Sequence, residues 1–211
     1  MKYVSIDLET TGLDPETCQV LQIGMVIEDT VEVWPSLDTG RLVDLGPNGR
    51  FPPVEDLPTF NAVIVRDRYV GEPYALGMHA DIFKAIAEFH QHGTDRAIKV
   101  RGRECYFEDA GRVYREAMWW LKSQLGEPPF NAAGKNLGSF DWPFLPASFT
   151  SLFRHRLIDA GNVALGARPE YWMKDRLPSL GDLTGETVAH DAVGDAQDVI
   201  RVLRTTYPGQ R

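Results

Sequence analysis

Alternating apolar and polar side chains at the start of the chain predict a β-strand. Residues 3–9 change face at every position, which places Asp7 and Glu9 together on the face opposite Val4 and Ile6. Residues 20–27 are almost continuously apolar, as expected for a strand covered on both faces. Residues 62–65 form a third, shorter apolar run. The first part of the chain is therefore predicted to be a set of strands.

Helical periodicity replaces this alternation later in the chain. Ala80–His92, Ala110–Leu125 and residues 192–207 repeat apolar side chains at helical spacing, and residues 140–149 also favour a helix. Residues 130–134 are predicted to form a short strand between Ala110–Leu125 and residues 140–149. Strands that come first and then alternate with helices predict an α/β fold, with helices packed around a mixed sheet.

A segment rich in proline and glycine interrupts the pattern at residues 34–58. Proline at this density prevents regular sheet pairing, so we expect an insertion on the surface. The sequence contains no internal repeat and no linker that would divide it. Its 211 residues fit a single domain, 1–211, that includes this insertion at about 34–58.

The charge of the chain narrows the classes of protein that it can represent. The formal net charge is −8, which disfavours a module that wraps duplex DNA through a broad basic face. No apolar stretch approaches a membrane span and no secretory signal is visible, so we expect a cytoplasmic protein without a membrane partner. Cys18 and Cys105 form no metal-ligand pattern and favour a reducing compartment, while a bridge between them stays open.

Two acidic residues on the first strand are the first candidates for chemistry. Asp7 and Glu9 lie on one strand face, where two carboxylates repel each other unless a cation joins them. Oxygen-rich sites of this kind suit Mg²⁺ or Mn²⁺. The alternative is an ordinary exposed acidic strand face. The pair ends an apolar strand and precedes a turn with a glycine, a place where α/β sheets often hold their sites.

Three further candidates lie in the second half of the chain. Asp141 opens a predicted helix just before Pro143, so it equally fits a structural residue at a helix N-terminus. Asp195 lies on the apolar side of the last helix, where an inward carboxylate needs a partner such as a metal ion. His190 lies just upstream, on a loop that can reach the same site, and Asp191 is a candidate N-cap of that helix.

These residues form three motifs that resemble the DEDD exonuclease superfamily, in its histidine-containing branch, DEDDh. The family motif D-x-E-T-T-G-L is similar to residues 7–13, N-x-x-x-x-D to residues 136–141, and H-x-x-x-x-D to residues 190–195. That branch includes polymerase proofreading subunits, oligoribonuclease and RNase T. The three motifs occur in the family order, and the longer spacing from Glu9 to Asp141 is consistent with an insertion.

The resemblance implies a fold, a metal centre and a role for each residue. It implies a ribonuclease H-like fold with a five-stranded mixed sheet flanked by helices. Two divalent cations, Mg²⁺ or Mn²⁺, would be held by Asp7, Glu9, Asp141 and Asp195, and His190 would act as the general base. Thr10, Leu13 and Asn136 would bind the substrate, with Leu13 packing on the terminal base.

The predicted function is a metal-dependent 3′–5′ exonuclease that releases nucleoside 5′-monophosphates from single-stranded nucleic acid, with DNA slightly favoured. An oligoribonuclease or an enzyme that trims RNA 3′ ends is the alternative, because the first motif is oligoribonuclease-like and no residue reads the sugar. A non-catalytic nucleic-acid-binding or polymerase-docking module on the same fold is the rival from another class. The partners considered are single-stranded DNA or RNA 3′ ends, a second copy of the chain and a polymerase.

Phosphate-binding cations and base-stacking aromatic residues are harder to select from the sequence. The cations near the second and third motifs are candidates for phosphate contacts, and ordinary solvated charges are the simpler interpretation of each. Among the aromatic residues, Trp142 and Trp172 are candidates for stacking, whereas Phe140 is expected in the core. The candidate cations are Lys135, Arg154, His155, Arg156, Lys174 and Arg176.

Overall fold

The two apolar strands at the start of the chain lie in the middle of a mixed six-stranded sheet. The computed structural model describes residues 1–30, 52–93, 97–167, 170, 172, 178–185 and 190–206. The strands of the sheet are β1 (Lys2–Thr10), β2 (Val20–Asp29), β3 (Thr59–Ile64), β6 (Tyr106–Glu108), β7 (Ala132–Gly134) and β8 (Ile158–Asp159). Their order across the sheet is β6-β3-β2-β1-β7-β8.

Both parallel and antiparallel pairs occur in this sheet, which confirms the prediction of a mixed α/β architecture. β1 pairs antiparallel with β2 and parallel with β7, while β2 pairs antiparallel with β3. Five strands were expected and the sheet has six, with β6 pairing parallel to β3 at one edge and β8 parallel to β7 at the other. The three residues of β6 extend the sheet without changing the order of the other strands.

A separate two-stranded hairpin precedes β6. Its strands are β4 (Lys99–Val100) and β5 (Arg103–Glu104), which pair antiparallel. The two-residue turn between them has φ of +49° at Arg101 and +82° at Gly102. Positive φ at both central positions is typical of a type I′ turn, whose twist matches that of the flanking strands.

Helices cover both faces of the sheet. They are α1 (Pro73–Met78), α2 (Ala80–His92), α3 (Ala110–Leu125), α4 (Ala147–Thr150), α5 (Ala160–Ala167), α6 (Leu180–Thr184) and α7 (Ala192–Arg204). Val4 and Ile6 of β1 pack with α3 on one face, whereas Tyr3 packs with α7 on the other. Because side chains alternate along a strand, Asp7 and Glu9 lie on the α7 face.

Several predicted elements are confirmed and one is wrong. Ala80–His92 and Ala110–Leu125 are helices with the expected bounds. The single helix predicted over residues 140–149 is instead a 3-10 turn, Trp142–Phe144, followed by α4. Pro143 and Pro146 explain the break, since proline lacks the N–H of a continuous helix and disfavours helical geometry at the residue before it.

The ends of two predicted segments fall outside the residues that the structure describes. The last helix ends at Arg204 and is shorter than predicted, because Thr205 and Thr206 form a turn; residue 207, its expected end, is outside. Most of the predicted insertion at 34–58 is also outside, while Val54–Asp56 forms a 3-10 turn.

Cys18 and Cys105 are both free thiols, so no bridge joins them. Among the described residues, no helix combines the length and apolar character needed to cross a bilayer.

Candidate active site

Three carboxylates from the two ends of the chain meet at the centre of the sheet. Asp7 and Glu9 lie on β1, and Asp195 lies in the first turn of α7. Each offers one carboxylate oxygen, and these oxygens lie within 4.8 Å of one another. Glu9 and Asp195 are buried and Asp7 is half-buried. Asp7 and Glu9 were predicted to share a strand face, and Asp195, predicted for the same site, lies beside them.

Two carboxylate oxygens in this cluster are buried without a hydrogen bond. They are Oε1 of Glu9 and Oδ1 of Asp195, and neither has a hydrogen-bond partner within the described part of the chain. Arg101 Nη1 lies 3.8 Å from Oε1 of Glu9, too far for a hydrogen bond. A buried carboxylate oxygen without a hydrogen bond is costly, and a bound cation would remove that cost. The orientation of both oxygens is therefore suited to a metal ion.

The fourth predicted acid, Asp141, approaches the cluster from the second motif. Its side chain is buried, and its Oδ1 accepts a hydrogen bond of 3.1 Å from the backbone N–H of Leu8. This bond joins the start of the 3-10 turn to the strand residue between Asp7 and Glu9. Asp141 is not one of the three acids within 4.8 Å, but its charge contributes to the raised pKa of Asp7.

Burial raises the pKa of all four carboxyl groups. The pKa of Glu9 is raised to about 9, and those of Asp141 and Asp195 to about 7, with loss of hydration as the main cause. Burial, followed by repulsion from Asp141 and Glu9, raises the pKa of Asp7 well above its usual value. Without a cation, the site therefore holds protons that a solvated cluster would release.

The predicted general base lies at the entrance to the same site. His190 is exposed, has a φ of +51°, and lines a cavity that also contains Glu9 and Asp195. The next residue, Asp191, is the N-cap of α7, and its Oδ2 accepts a hydrogen bond of 3.2 Å from the N–H of Gly194. His190 and the Asp195 carboxylate therefore lie at either end of the first turn of α7.

A second histidine, which the sequence analysis did not select, contacts the cluster directly. His79 lies between α1 and α2 with 1% of its surface exposed, and its Nε2 is 3.4 Å from Oε2 of Glu9. Burial, then the charge of Arg101, lowers the pKa of His79 to about 4. The imidazole is therefore neutral near pH 7, and its contact with Glu9 is polar rather than ionic. No local pattern identifies His79, because only tertiary packing buries it.

The cavity beside the carboxylates is lined by apolar and aromatic side chains as well as polar ones. Its volume is about 330 Å³. Leu13 and Tyr74 are 72% and 81% exposed, although both are large apolar or aromatic residues. Thr10 also lines the cavity, and its hydroxyl donates a hydrogen bond of 2.7 Å to the carbonyl of Gly12. Among the side chains that line this cavity are Thr10, Leu13, Tyr74, Met78, Phe140 and His190.

A second, more open cavity of about 440 Å³ lies on the other side of Asp7 and Asp195. Lys135 and Asn136 line it, and Lys135 Nζ donates a hydrogen bond of 2.8 Å to Asn136 Oδ1. The backbone N–H of Asn136, whose φ is +58°, donates to Asp159. Asp7 and Asp195 line both cavities, so the carboxylate cluster lies between them.

The other residues considered for substrate contacts differ in where the structure places them. Lys135 reaches the second cavity, whereas Lys174 and Arg176 lie outside the described residues. Phe140, expected in the core, is only half-buried and lines the first cavity, so the prediction of a fully buried side chain is wrong. The loop of the second motif turns at Asn136, which leaves Phe140 at the cavity wall.

Comparison with known proteins identifies the fold of this chain but no family or relative by sequence. No protein-family model matches the chain, and no curated protein matches it. Among solved structures, the crystal structure of cell-death related nuclease 4 (CRN-4) matches with a TM-score of 0.58 and 15% sequence identity. The match covers 99% of this chain, which spans 64% of the length of that structure. The chain therefore has the α/β, ribonuclease H-like fold that the three motifs implied, in common with a nuclease.

Proposed function

We propose that this chain is a metal-dependent 3′–5′ exonuclease that hydrolyses single-stranded nucleic acid to nucleoside 5′-monophosphates, with DNA slightly favoured over RNA. One observation is the main support. Asp7, Glu9 and Asp195 place oxygens within 4.8 Å of one another, between two cavities. The family resemblance of the three motifs supplies the polarity and the products.

The donor atoms fit divalent cations. All are carboxylate oxygens, the ligands that Mg²⁺ and Mn²⁺ prefer, and two are buried without a hydrogen bond. Asp7, Glu9 and Asp195 would hold one ion, and Asp7 with Asp141 would hold a second. When bound, the ions would neutralise the four acids, lower the pKa of the attacking water and stabilise the charge that develops on the phosphate.

His190 would take the proton of the attacking water. It lines the first cavity together with Glu9 and Asp195, so a phosphodiester beside the carboxylates would lie within reach of the imidazole. Imidazole suits this step because it exchanges protons near neutral pH. General-base catalysis is typically worth about 10²–10⁴-fold in rate. The Asp191 cap fixes the backbone directly after His190 and so limits where the ring can move.

The two cavities favour a single-stranded substrate from which one terminal nucleotide is removed in each catalytic cycle. The first cavity, of about 330 Å³, lies within the lower range of small-ligand pockets, and Leu13, Tyr74 and Phe140 offer surfaces on which a base can stack. The second cavity, with Lys135, would accept the phosphate backbone of the preceding nucleotides. The scissile phosphate would then lie at the carboxylates between the cavities.

The decisive experiment compares the digestion of 3′-labelled and 5′-labelled oligonucleotides. The substrates are single-stranded DNA, duplex DNA, long RNA and very short RNA, each with Mg²⁺ and with Mn²⁺. We expect single-stranded substrates to lose the 3′ label first, and the ratio of DNA to RNA rates identifies the preferred sugar.

Two variants serve as matched controls in this experiment. Asp7→Ala should abolish hydrolysis because both ions lose a ligand, whereas Asp67→Ala removes the same charge from an exposed position. Digestion by Asp7→Ala at the wild-type rate would reject the proposal. Tight binding of single strands without hydrolysis, in the wild type with either metal, would instead favour the non-catalytic binding module.

A further inference from the structure

The β4–β5 hairpin contacts two of the three motif segments, although its own sequence belongs to none of them. Arg103 on β5 donates two hydrogen bonds to α7, from Nε to Asp191 Oδ2 at 2.8 Å and from Nη2 to Gln197 Oε1 at 2.9 Å. The side chain of Asp191 is nine-tenths buried and Gln197 is fully buried. A guanidinium with two fixed acceptors holds the helix more rigidly than a single charge contact would.

The two residues that accept hydrogen bonds from Arg103 lie in the first turns of α7, next to His190 and Asp195 of the third motif. Asp191 caps the helix directly after His190, and Asp195 follows one turn later. Gln197 is in the next turn, and its Nε2 donates to the carbonyl of Val54 at 3.3 Å. Arg103 therefore fixes the first two turns of α7, from which the imidazole and the carboxylate both project.

Arg101 attaches the same hairpin to the first motif. Its Nε and Nη2 donate to Asp81 of α2 at 2.6 and 3.1 Å, and its Nη1 lies 3.8 Å from Oε1 of Glu9. Asn or Gly is the usual residue at this position of a type I′ turn, because at positive φ the Cβ atom of most L-residues comes too close to a backbone carbonyl oxygen. Arginine at φ +49° is thus a strained choice that directs a guanidinium toward the carboxylates.

We propose that Arg103 is a positioning residue for the nuclease site, acting through Asp191 to fix His190 and Asp195 relative to the first motif. The proposal rests on the proposed function. Arg101, in the turn of the same hairpin, binds Asp81 and faces Glu9. The hairpin, which lies outside the motifs, therefore links β1 to α7. Neither arginine is among the residues that line the two cavities beside the carboxylates.

The test compares Arg103→Gln with Lys99→Gln. Lys99 is an exposed residue on the same hairpin, so its replacement removes the same charge from the same element. The readouts are kcat and KM on single-stranded DNA, Mn²⁺ affinity of the substrate-free protein by calorimetry, and thermal unfolding. We expect Arg103→Gln to lose about 10–100-fold in kcat and to bind Mn²⁺ more weakly, with little change in KM. Lys99→Gln should resemble the wild type.

Two further variants separate positioning from a general loss of stability. Arg103→Lys can still pair with Asp191 but cannot also contact Gln197, so it should restore part of kcat. Asp191→Asn keeps an oxygen that caps α7 but removes the charge that Arg103 binds. Its effect and that of Arg103→Gln should not add in the double variant, because both remove one interaction.

The outcomes distinguish this proposal from the proposed function. If the wild type neither binds Mn²⁺ nor hydrolyses DNA, the proposed function is wrong. If the wild type is active and Arg103→Gln matches Lys99→Gln in kcat and Mn²⁺ affinity, the positioning role is wrong and the function stands. Should Arg103→Gln fail to fold, Asp191→Asn decides: wild-type kcat and Mn²⁺ affinity in that variant would overturn the role of Arg103.

Discussion

Gly24 of β2 lies against the backbone of Ala192, the first residue of α7. A Cβ atom added to Gly24 would be 2.3 Å from the carbonyl carbon of Ala192, and backbone atoms cannot move aside as a flexible side chain can. Gly24 pairs with Asp7 in the β1–β2 ladder. The missing side chain therefore lets α7 approach the sheet closely enough for Asp195 to join Asp7 and Glu9.

Gly24→Ala should displace the start of α7 and separate Asp195 from the other acids. We expect a loss of stability of about 1–3 kcal/mol, as for other overpacked sites, and a larger loss of Mn²⁺ affinity and nuclease activity. Gly166→Ala is the matched control, since a Cβ there has no neighbour within 4 Å and alanine favours a helix. Thermal unfolding and Mn²⁺ titration measure both effects. Wild-type Mn²⁺ affinity in Gly24→Ala would contradict the role of this close approach.

His79 should orient Glu9 through the N–H on its Nε2. Because its pKa is lowered to about 4, the imidazole remains neutral near pH 7 and above and can act as a donor. His79→Leu should lower kcat by about 10–100-fold and weaken Mn²⁺ binding, while His79→Gln, which keeps a donor, should lose less. His92→Leu, at the exposed end of α2, controls for the loss of a histidine. Equal activity of the Leu and Gln variants would show that the donor is unimportant.

The metal-free protein should become less stable as the pH rises from about 5 to about 9. The folded-state pKa values of Glu9, Asp141 and Asp195 lie above the usual carboxyl range, so the folded protein binds extra protons there. Their contribution to stability is complete below the unfolded pKa, near 4, and is lost as the pH rises through about 7 to 9. Thermal unfolding with a chelator measures this slope, which should be flatter in Asp7→Asn than in Asp67→Asn.

Divalent ions should reverse this loss, because they bind the ionised carboxylates. We expect Mg²⁺ or Mn²⁺ to raise the unfolding temperature more at pH 8 than at pH 5.5, where protons compete for the same oxygens. Calcium is an informative comparison, since it also prefers oxygen ligands but tolerates a looser geometry. An increase that is the same at both pH values would argue against metal binding at the four buried acids.

Tyr74 should contribute to substrate binding and not to the chemical step. Its side chain is 81% exposed beside the first cavity, where a terminal base can stack on it. Tyr74→Ala should cost about 1–3 kcal/mol of binding free energy, seen as a higher KM with kcat little changed. Trp119→Ala removes an aromatic residue of similar exposure on α3 and should leave KM unaltered. A fall in kcat alone for Tyr74→Ala would assign the residue a different role.

Local patterns were sufficient for the elements whose residues interact with near neighbours in the chain. The alternation of residues 3–9 placed Asp7 and Glu9 on one strand face, and helical spacing defined Ala80–His92 and Ala110–Leu125. The helix predicted over residues 140–149 failed because two prolines outweigh its apolar periodicity. The edge strands β6 and β8 were missed because two or three residues are too few to establish a period.

The sequence by itself determined which acids and which histidine could form the site, because each motif consists of residue types at fixed spacing within a few consecutive positions. Only the tertiary structure decided how they meet. The packing of α7 on Gly24, the burial of His79 beside Glu9 and the reach of Arg103 to Asp191 each join residues more than 50 positions apart. Such contacts depend on the packing of whole elements in three dimensions, which periodicity along the chain does not record.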